Sequence, residues 1–187
     1  MYLRTNYRIF TYTRNMKIMN SDNILKSTTI IGIVFVLVLG TISHFVYDWS
    51  GQNTLVGFLV PVSESTWEHM KLLFFPMLLY ALYMNQGLKQ EYPCITSALC
   101  CGILAGTFLI PVFFYTYSGI LGKNVMALDI ATFIASVLCA FRIVYRLTLS
   151  CRFRAFTFPL MITVLLLLLC FVLFTYLPPA IGLFQSF

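Results

Sequence analysis

The sequence has very few charged residues. Only 10% of its 187 residues are Asp, Glu, Lys or Arg, whereas 60% are hydrophobic. A soluble domain carries roughly 25% charged residues, and this chain has too few polar groups to cover the surface of one. The composition therefore excludes a soluble globular domain, and its long apolar runs predict an all-α, polytopic membrane helix bundle in contact with the lipid bilayer.

Features of several other protein classes are also missing. The Lys and Arg residues do not alternate with aromatic residues as in nucleic-acid-binding surfaces, so no nucleic-acid partner is expected. The six cysteines form no CxxC pair, and Cys100 and Cys101 are adjacent within an apolar run, where cysteine behaves as a small hydrophobe. We therefore expect structural thiols, with neither a disulfide framework nor a cysteine metal site.

Five apolar segments are long enough to cross a bilayer. They cover residues 27–46, 66–84, 94–117, 125–145 and 156–177. The first segment would form a helix about 30 Å long at ~1.5 Å per residue, which matches the hydrocarbon core. Thr41-Ile42-Ser43 after it is a poor match to an Ala-x-Ala cleavage site, so this helix is expected to be retained. Residues 27–187 are thus predicted to form one transmembrane domain of about five helices.

The basic residues predict which side of the membrane each end occupies. If the N-terminus is inside, ten of the twelve basic residues lie inside: Arg4, Arg8, Arg14, Lys17, Lys26, Lys89, Arg142, Arg146, Arg152 and Arg154. Only Lys71 and Lys123 then lie outside. The positive-inside rule favours this orientation, with the N-terminus in and the C-terminus out.

The N-terminal segment, residues 1–26, is predicted to be a basic cytoplasmic tail. One alternative is an amphipathic helix lying on anionic lipid. Another is an upstream extension, if translation starts at Met16 or Met19.

The stretch from His44 to Lys71 holds both histidines, both tryptophans and three of the six acidic residues. On the first helix His44, Tyr47 and Asp48 are spaced i, i+3 and i+4, so they share one face. On the second helix Glu64, Glu68 and Lys71 are expected to form a stripe, with His69 about 100° away from Glu68. The two faces are at the same outer depth and are expected to face each other.

Two further elements are predicted at this outer end. Asp129 lies near the outer end of the fourth segment, and an acid within an apolar helix costs several kcal/mol unless it faces a polar interior. Asp129 is therefore expected to turn toward the same pocket. Trp49 and Trp67 suit the aromatic belt at the membrane–water interface.

The leading functional prediction is an extracytoplasmic pocket that binds a metal or a small polar ligand. Its nitrogen and oxygen donors would suit zinc or manganese, and a bound metal can activate water for hydrolysis. The candidate metal ligands are His44, Asp48, Glu64, Glu68 and His69. The candidate catalytic residues are Glu64, Glu68 and His69. The supporting residues are Tyr47, Trp49, Trp67, Lys71 and Asp129, with Lys71 either holding a phosphate or carboxylate or neutralising the acids.

Two alternatives remain open from the sequence. One is a transporter, a channel or an accessory subunit of a membrane complex, because ionisable residues within membranes commonly mark ion or solute paths. The other is a purely structural cluster, in which Ser65 and Glu68 form a helix capping box and Lys71 pairs with Glu68 or Glu64. Small residues Gly102 and Gly106 would pack helices closely, either within the chain or across a homo-oligomer.

The segments SHFVYDWSG (Ser43–Gly51) and PVSESTWEHMKLLFFP (Pro61–Pro76) carry a resemblance. They are similar to a family of small integral membrane proteins from Gram-positive bacteria that is catalogued as a domain of unknown function. Its pattern is HxxYDWSG followed by PVxESxWEHxKL, and residues before about Met19 look unlike typical members. The resemblance implies a multi-pass protein of the bacterial plasma membrane and implies no activity.

Overall fold

The computed structural model is all-helical over the part of the chain that it describes, which is the backbone of residues 2–185 and the side chains of residues 22–185. Its helices are α1 (Tyr2–Trp49), α2 (Thr54–Gly57), α3 (Thr66–Leu88), α4 (Ile95–Leu121), α5 (Met126–Ser150) and α6 (Thr157–Tyr176). The predicted all-α class is confirmed. The prediction for the basic tail falls largely on residues 1–21, whose side chains lie outside the described residues.

Four of the described helical segments are long and apolar enough to cross a membrane. They are Asp22–Trp49, Ile95–Leu121, Met126–Ser150 and Arg154–Tyr176. These segments indicate a membrane protein. The predicted second span corresponds to α3, which is not among the four.

Helix α3 is less apolar than these four segments and is largely buried within the protein. Of its 23 residues, 14 are buried by the rest of the protein, including Phe74 and Met77. A helix that is surrounded by other helices presents little surface to lipid, so it can carry polar residues that a lipid-facing helix cannot.

Glycines allow α4 and α5 to pack closely against each other. A Cβ added to Gly106 would lie only 2.6 Å from the Cβ of Ala140 on α5. Gly40 allows α1 to approach α5 closely in the same way, because a Cβ there would lie 2.6 Å from the ring of Phe133 on α5. The face that contains Gly106 therefore packs within the chain, which was one of the two predicted arrangements.

Cys94 and Cys151 form a disulfide, so the expectation that the cysteines remain thiols is wrong for these two. They are separated by 57 positions and have Cα atoms 5.2 Å apart. Antiparallel packing of α4 and α5 brings the start of one helix next to the end of the other, and no local sequence spacing reveals that contact. The remaining four cysteines are free: Cys100, Cys101, Cys139 and Cys170.

Candidate functional site

His44 and His69 meet at one end of the bundle. His44 lies near the end of α1 and His69 in the first turn of α3, and their ring centroids are 5.3 Å apart. The Oε2 atom of Glu64 is 3.4 Å from Nε2 of His69 and 3.8 Å from Nε2 of His44. Each of the three residues offers a potential ligand atom, and these atoms lie within 4.8 Å of one another. We call His44, Glu64 and His69 the histidine cluster.

The backbone of α3 fixes the orientation of one imidazole. Nδ1 of His69 lies 2.9 Å from the carbonyl oxygen of Ser65. A carbonyl oxygen can only accept a hydrogen bond, so Nδ1 carries the hydrogen and Nε2 faces Glu64. Metal-binding histidines are commonly held this way, with one ring nitrogen donating to a carbonyl or carboxylate while the other binds the ion.

A small polar cleft opens beside the histidine cluster. Its volume is about 60 Å³, which is room for roughly two water molecules. It is lined by His44, Tyr47, Asp48, Pro61, Val62, Ser63 and Glu64. The side chains of His44, His69 and Glu64 are 33%, 28% and 66% exposed. An ion can reach the histidine cluster from solvent, whereas an organic ligand of drug size needs a cavity of roughly 300 Å³ or more.

Glu68 and Lys71 lie deeper and bind each other. Nζ of Lys71 donates to Oε2 of Glu68 at 2.7 Å, to Oγ1 of Thr175 at 2.6 Å and to the Gly57 carbonyl at 3.1 Å. Their side chains are 4% and 0% exposed. An ammonium group has three N–H donors, so Lys71 has none left for a phosphate or a substrate carboxylate.

The beginning of α3 separates Glu64 from this buried pair. Ser65 is the N-cap of α3 and its Oγ accepts the N–H of Glu68 at 3.3 Å, which is half of the predicted capping box. The carboxylate of Glu68 instead accepts the N–H of Val62 at 2.9 Å. Because Glu64 precedes the helix, it does not share a stripe with Glu68 and Lys71, and that expectation is wrong for Glu64.

The other predicted residues are spread around the outer end. Asp48 lines the cleft, but it is outside the three-residue group that could share one ion. Asp129 accepts a hydrogen bond from the Tyr117 hydroxyl, and it too is outside that group. Trp49 is 72% exposed, and its place in the interfacial aromatic belt stays a prediction.

Trp67 does not occupy the aromatic belt. It is 6% exposed, and its ring centroid lies 4.6 Å from that of Phe171 and 4.8 Å from that of Phe184. The interfacial expectation is therefore wrong for Trp67, which belongs to the core.

Thr175 takes part in the buried network and was not predicted from the sequence. It lies near the end of α6, in a segment that is otherwise almost entirely apolar. The sequence feature that could have identified Thr175 is its hydroxyl group near the end of an apolar helix, because polar residues in membrane helices usually have a polar partner.

The comparison with protein families identifies a family for this chain and gives no activity. Residues 16–187 match the family described as "Family of unknown function (DUF6512)". Neither the curated proteins nor the solved structures include a significant match to the chain. The resemblance to a family of unknown function is therefore confirmed, and the chain belongs to the DUF6512 family.

Proposed function

We propose that the protein crosses the bacterial plasma membrane five times, with its N-terminus in the cytoplasm. The 23 residues of α3 give a helix about 34 Å long at ~1.5 Å per residue, long enough to span the hydrocarbon core. The asymmetry of the basic residues supports the orientation. In this arrangement the histidine cluster is at the extracytoplasmic end and the Cys94–Cys151 disulfide is at the cytoplasmic end.

We further propose that the histidine cluster binds a divalent metal ion, zinc or manganese. The observation that carries this proposal is the convergence of three donors from two helices and a loop. Two ligands ~2.1 Å from a tetrahedral zinc ion are about 3.4 Å apart. The carboxylate of Glu64 lies 3.4 Å and 3.8 Å from the two imidazole nitrogens, and all three ligand atoms lie within 4.8 Å of one another, so side-chain adjustments would let them share one ion.

The ligand count suggests a catalytic rather than a structural metal site. Structural zinc sites use four protein ligands, whereas catalytic sites use three, and two histidines with one glutamate is a known catalytic set. The adjoining cleft of about 60 Å³ can hold water next to the ion. Asp48 lines that cleft and would be the proton acceptor, whereas Glu68 is committed to Lys71. We propose metal-assisted hydrolysis of a substrate that approaches from the outer membrane surface.

Metal analysis of the purified full-length protein tests this proposal. After incubation with zinc or manganese and removal of excess metal, we expect about one ion per chain, as for a single three-ligand site. His44→Ala and His69→Ala should each reduce the occupancy at least tenfold. Glu91→Gln, which removes an exposed carboxylate at the other end of the bundle, is the matched control and should retain the ion. Well-folded wild-type protein that retains neither metal would refute the proposal.

The structure bears differently on the two alternatives. The buried side chains of α5 beyond Ser136 are apolar until Thr148: Val137, Ala140, Phe141 and Val144. This weighs against a permeation path along α5, while a role as an accessory subunit stays a prediction. The buried contacts of Glu68 and Lys71 support a structural role for that pair and leave the histidine cluster available for binding.

A further inference from the structure

The Cys94–Cys151 disulfide lies at the opposite end of the bundle from the histidine cluster. Cys94 immediately precedes α4 and Cys151 immediately follows α5. Arg152 and Arg154 follow in the same exposed loop. In the proposed orientation this end faces the cytoplasm, where disulfides are rare and are usually transient, catalytic or redox-sensing. A purely structural role would therefore be unusual for this disulfide.

The two halves of the disulfide differ in accessibility. Cys94 is 1% exposed, whereas Cys151, at the end of α5, is an exposed residue. An incoming thiol can therefore approach from the Cys151 side. The neighbouring Arg152 and Arg154 carry positive charge, which attracts an attacking thiolate.

Cys94 is well placed to leave as a thiolate. It occupies the N-cap position of α4, next to the N–H groups of the first helical turn and the positive end of the helix dipole. Helix N-termini stabilise cysteine thiolates, and a stabilised thiolate is the better leaving group in thiol–disulfide exchange. Access and leaving-group stability thus favour the same direction of attack.

We propose that Cys94 and Cys151 are a redox-active pair that exchanges with a cytoplasmic thiol, supplied by a small thiol or by a protein dithiol. A partner thiolate attacks Sγ of Cys151, the Cys94–Cys151 bond breaks, and Cys94 leaves with the electron pair and takes up a proton. A second partner thiol then attacks the partner's sulfur and releases Cys151. The partner is oxidised to a disulfide as the pair is reduced by two electrons, and a partner disulfide reverses the reaction. This inference rests on the proposed orientation and is independent of the metal site.

Thiol trapping in living bacterial cells tests the pair. The full-length chain carries Ala in place of Cys100, Cys101, Cys139 and Cys170, so that only the pair can be labelled. Cells are quenched with acid and the protein is then treated with a 5-kDa maleimide. The disulfide form gains no label and the reduced pair gains two. We expect a mostly reduced pair in growing cells and, after minutes of diamide treatment, at least a tenfold fall in the reduced-to-oxidised ratio that reverses on washing. An unchanged ratio, whether fully oxidised or fully reduced, would overturn the proposal.

Two further measurements separate the thiol source and the orientation. Inverted vesicles are treated with glutathione alone or with a thioredoxin-type dithiol protein. Reduction by glutathione supports exchange with a small thiol, reduction only by the protein supports exchange with a dithiol, and reduction by neither overturns the proposal.

A separate variant tests the orientation. It carries Ala155→Cys as a new thiol in the loop after α5, together with Cys94→Ser and Cys151→Ser, and the new thiol is labelled with a maleimide that does not cross membranes. Labelling in inverted vesicles but not in intact cells upholds the orientation, whereas labelling in intact cells would overturn both the orientation and the exchange.

Discussion

Removing one partner of the Glu68–Lys71 pair should strongly destabilise the protein. The two charged atoms are 2.7 Å apart and their side chains are 4% and 0% exposed. At an effective dielectric constant of ~20 their attraction is about 6 kcal/mol before the cost of burying both charges is subtracted. Experiments on buried pairs show that deleting one partner costs about 3–5 kcal/mol, because the other charge is left uncompensated. We expect a loss of that size in the free energy of unfolding for Glu68→Gln and for Lys71→Met.

The double variant distinguishes pairing from general damage to the core. Glu68→Gln/Lys71→Met carries no charge at either position, so its loss should be smaller than the sum of the two single losses by about 2 kcal/mol or more. Reversible unfolding in mixed micelles with increasing dodecyl sulfate, followed by helical circular dichroism, measures all three variants. Lys89→Met is the matched control because Lys89 is exposed and caps the other end of α3, and it should cost less than about 0.5 kcal/mol. Losses that add to within about 0.5 kcal/mol would show that the two residues do not act as a pair.

Two further predictions use the same unfolding measurement. Thr175→Val removes one acceptor of the Lys71 ammonium group and should lower the free energy of unfolding by about 1–3 kcal/mol. Thr163→Val, on the exposed side of the same helix, should be nearly neutral. Equal losses for the two variants would contradict a buried network. Gly106→Ala should cost more than about 1 kcal/mol because the new methyl group meets Ala140 at 2.6 Å. At Gly119 of the same helix no atom of the described residues lies within 4 Å of an added Cβ, so Gly119→Ala should meet no steric penalty. A similar loss at both sites would argue against close α4–α5 packing.

Most of the fold could be predicted because hydrophobic length is a local property. Helices α3, α4, α5 and α6 begin within one residue of the predicted starts at 66, 94, 125 and 156. The spacing of Gly102 and Gly106 indicated a close helix contact, and both glycines indeed lie against α5. The sequence did not indicate that α3 would be the most deeply buried helix, because hydrophobic length identifies a helix but does not say which other helices pack around it.

Parts of the candidate site depend on contacts that no sequence spacing encodes. Helical phase was a sound guide for Glu68 and Lys71, which are i, i+3 neighbours on α3. It failed for Glu64 because the helix begins only at Thr66 and Ser65 is extended. The disulfide between Cys94 and Cys151 was missed for a related reason: it joins positions 57 residues apart, and only the packing of α4 against α5 brings them together.

The buried pair and the histidine cluster are mechanically linked, so structural and functional roles need not be alternatives. The carboxylate of Glu68 holds the N–H of Val62, and Val62 lines the cleft beside the histidine cluster. Val62 is two residues from Glu64, the residue that joins the two histidines. The Glu68–Lys71 pair therefore fixes the loop that carries a proposed metal ligand. A charged pair that ties α3, α6 and this loop together gives the site the rigid support that a preorganised ligand set needs.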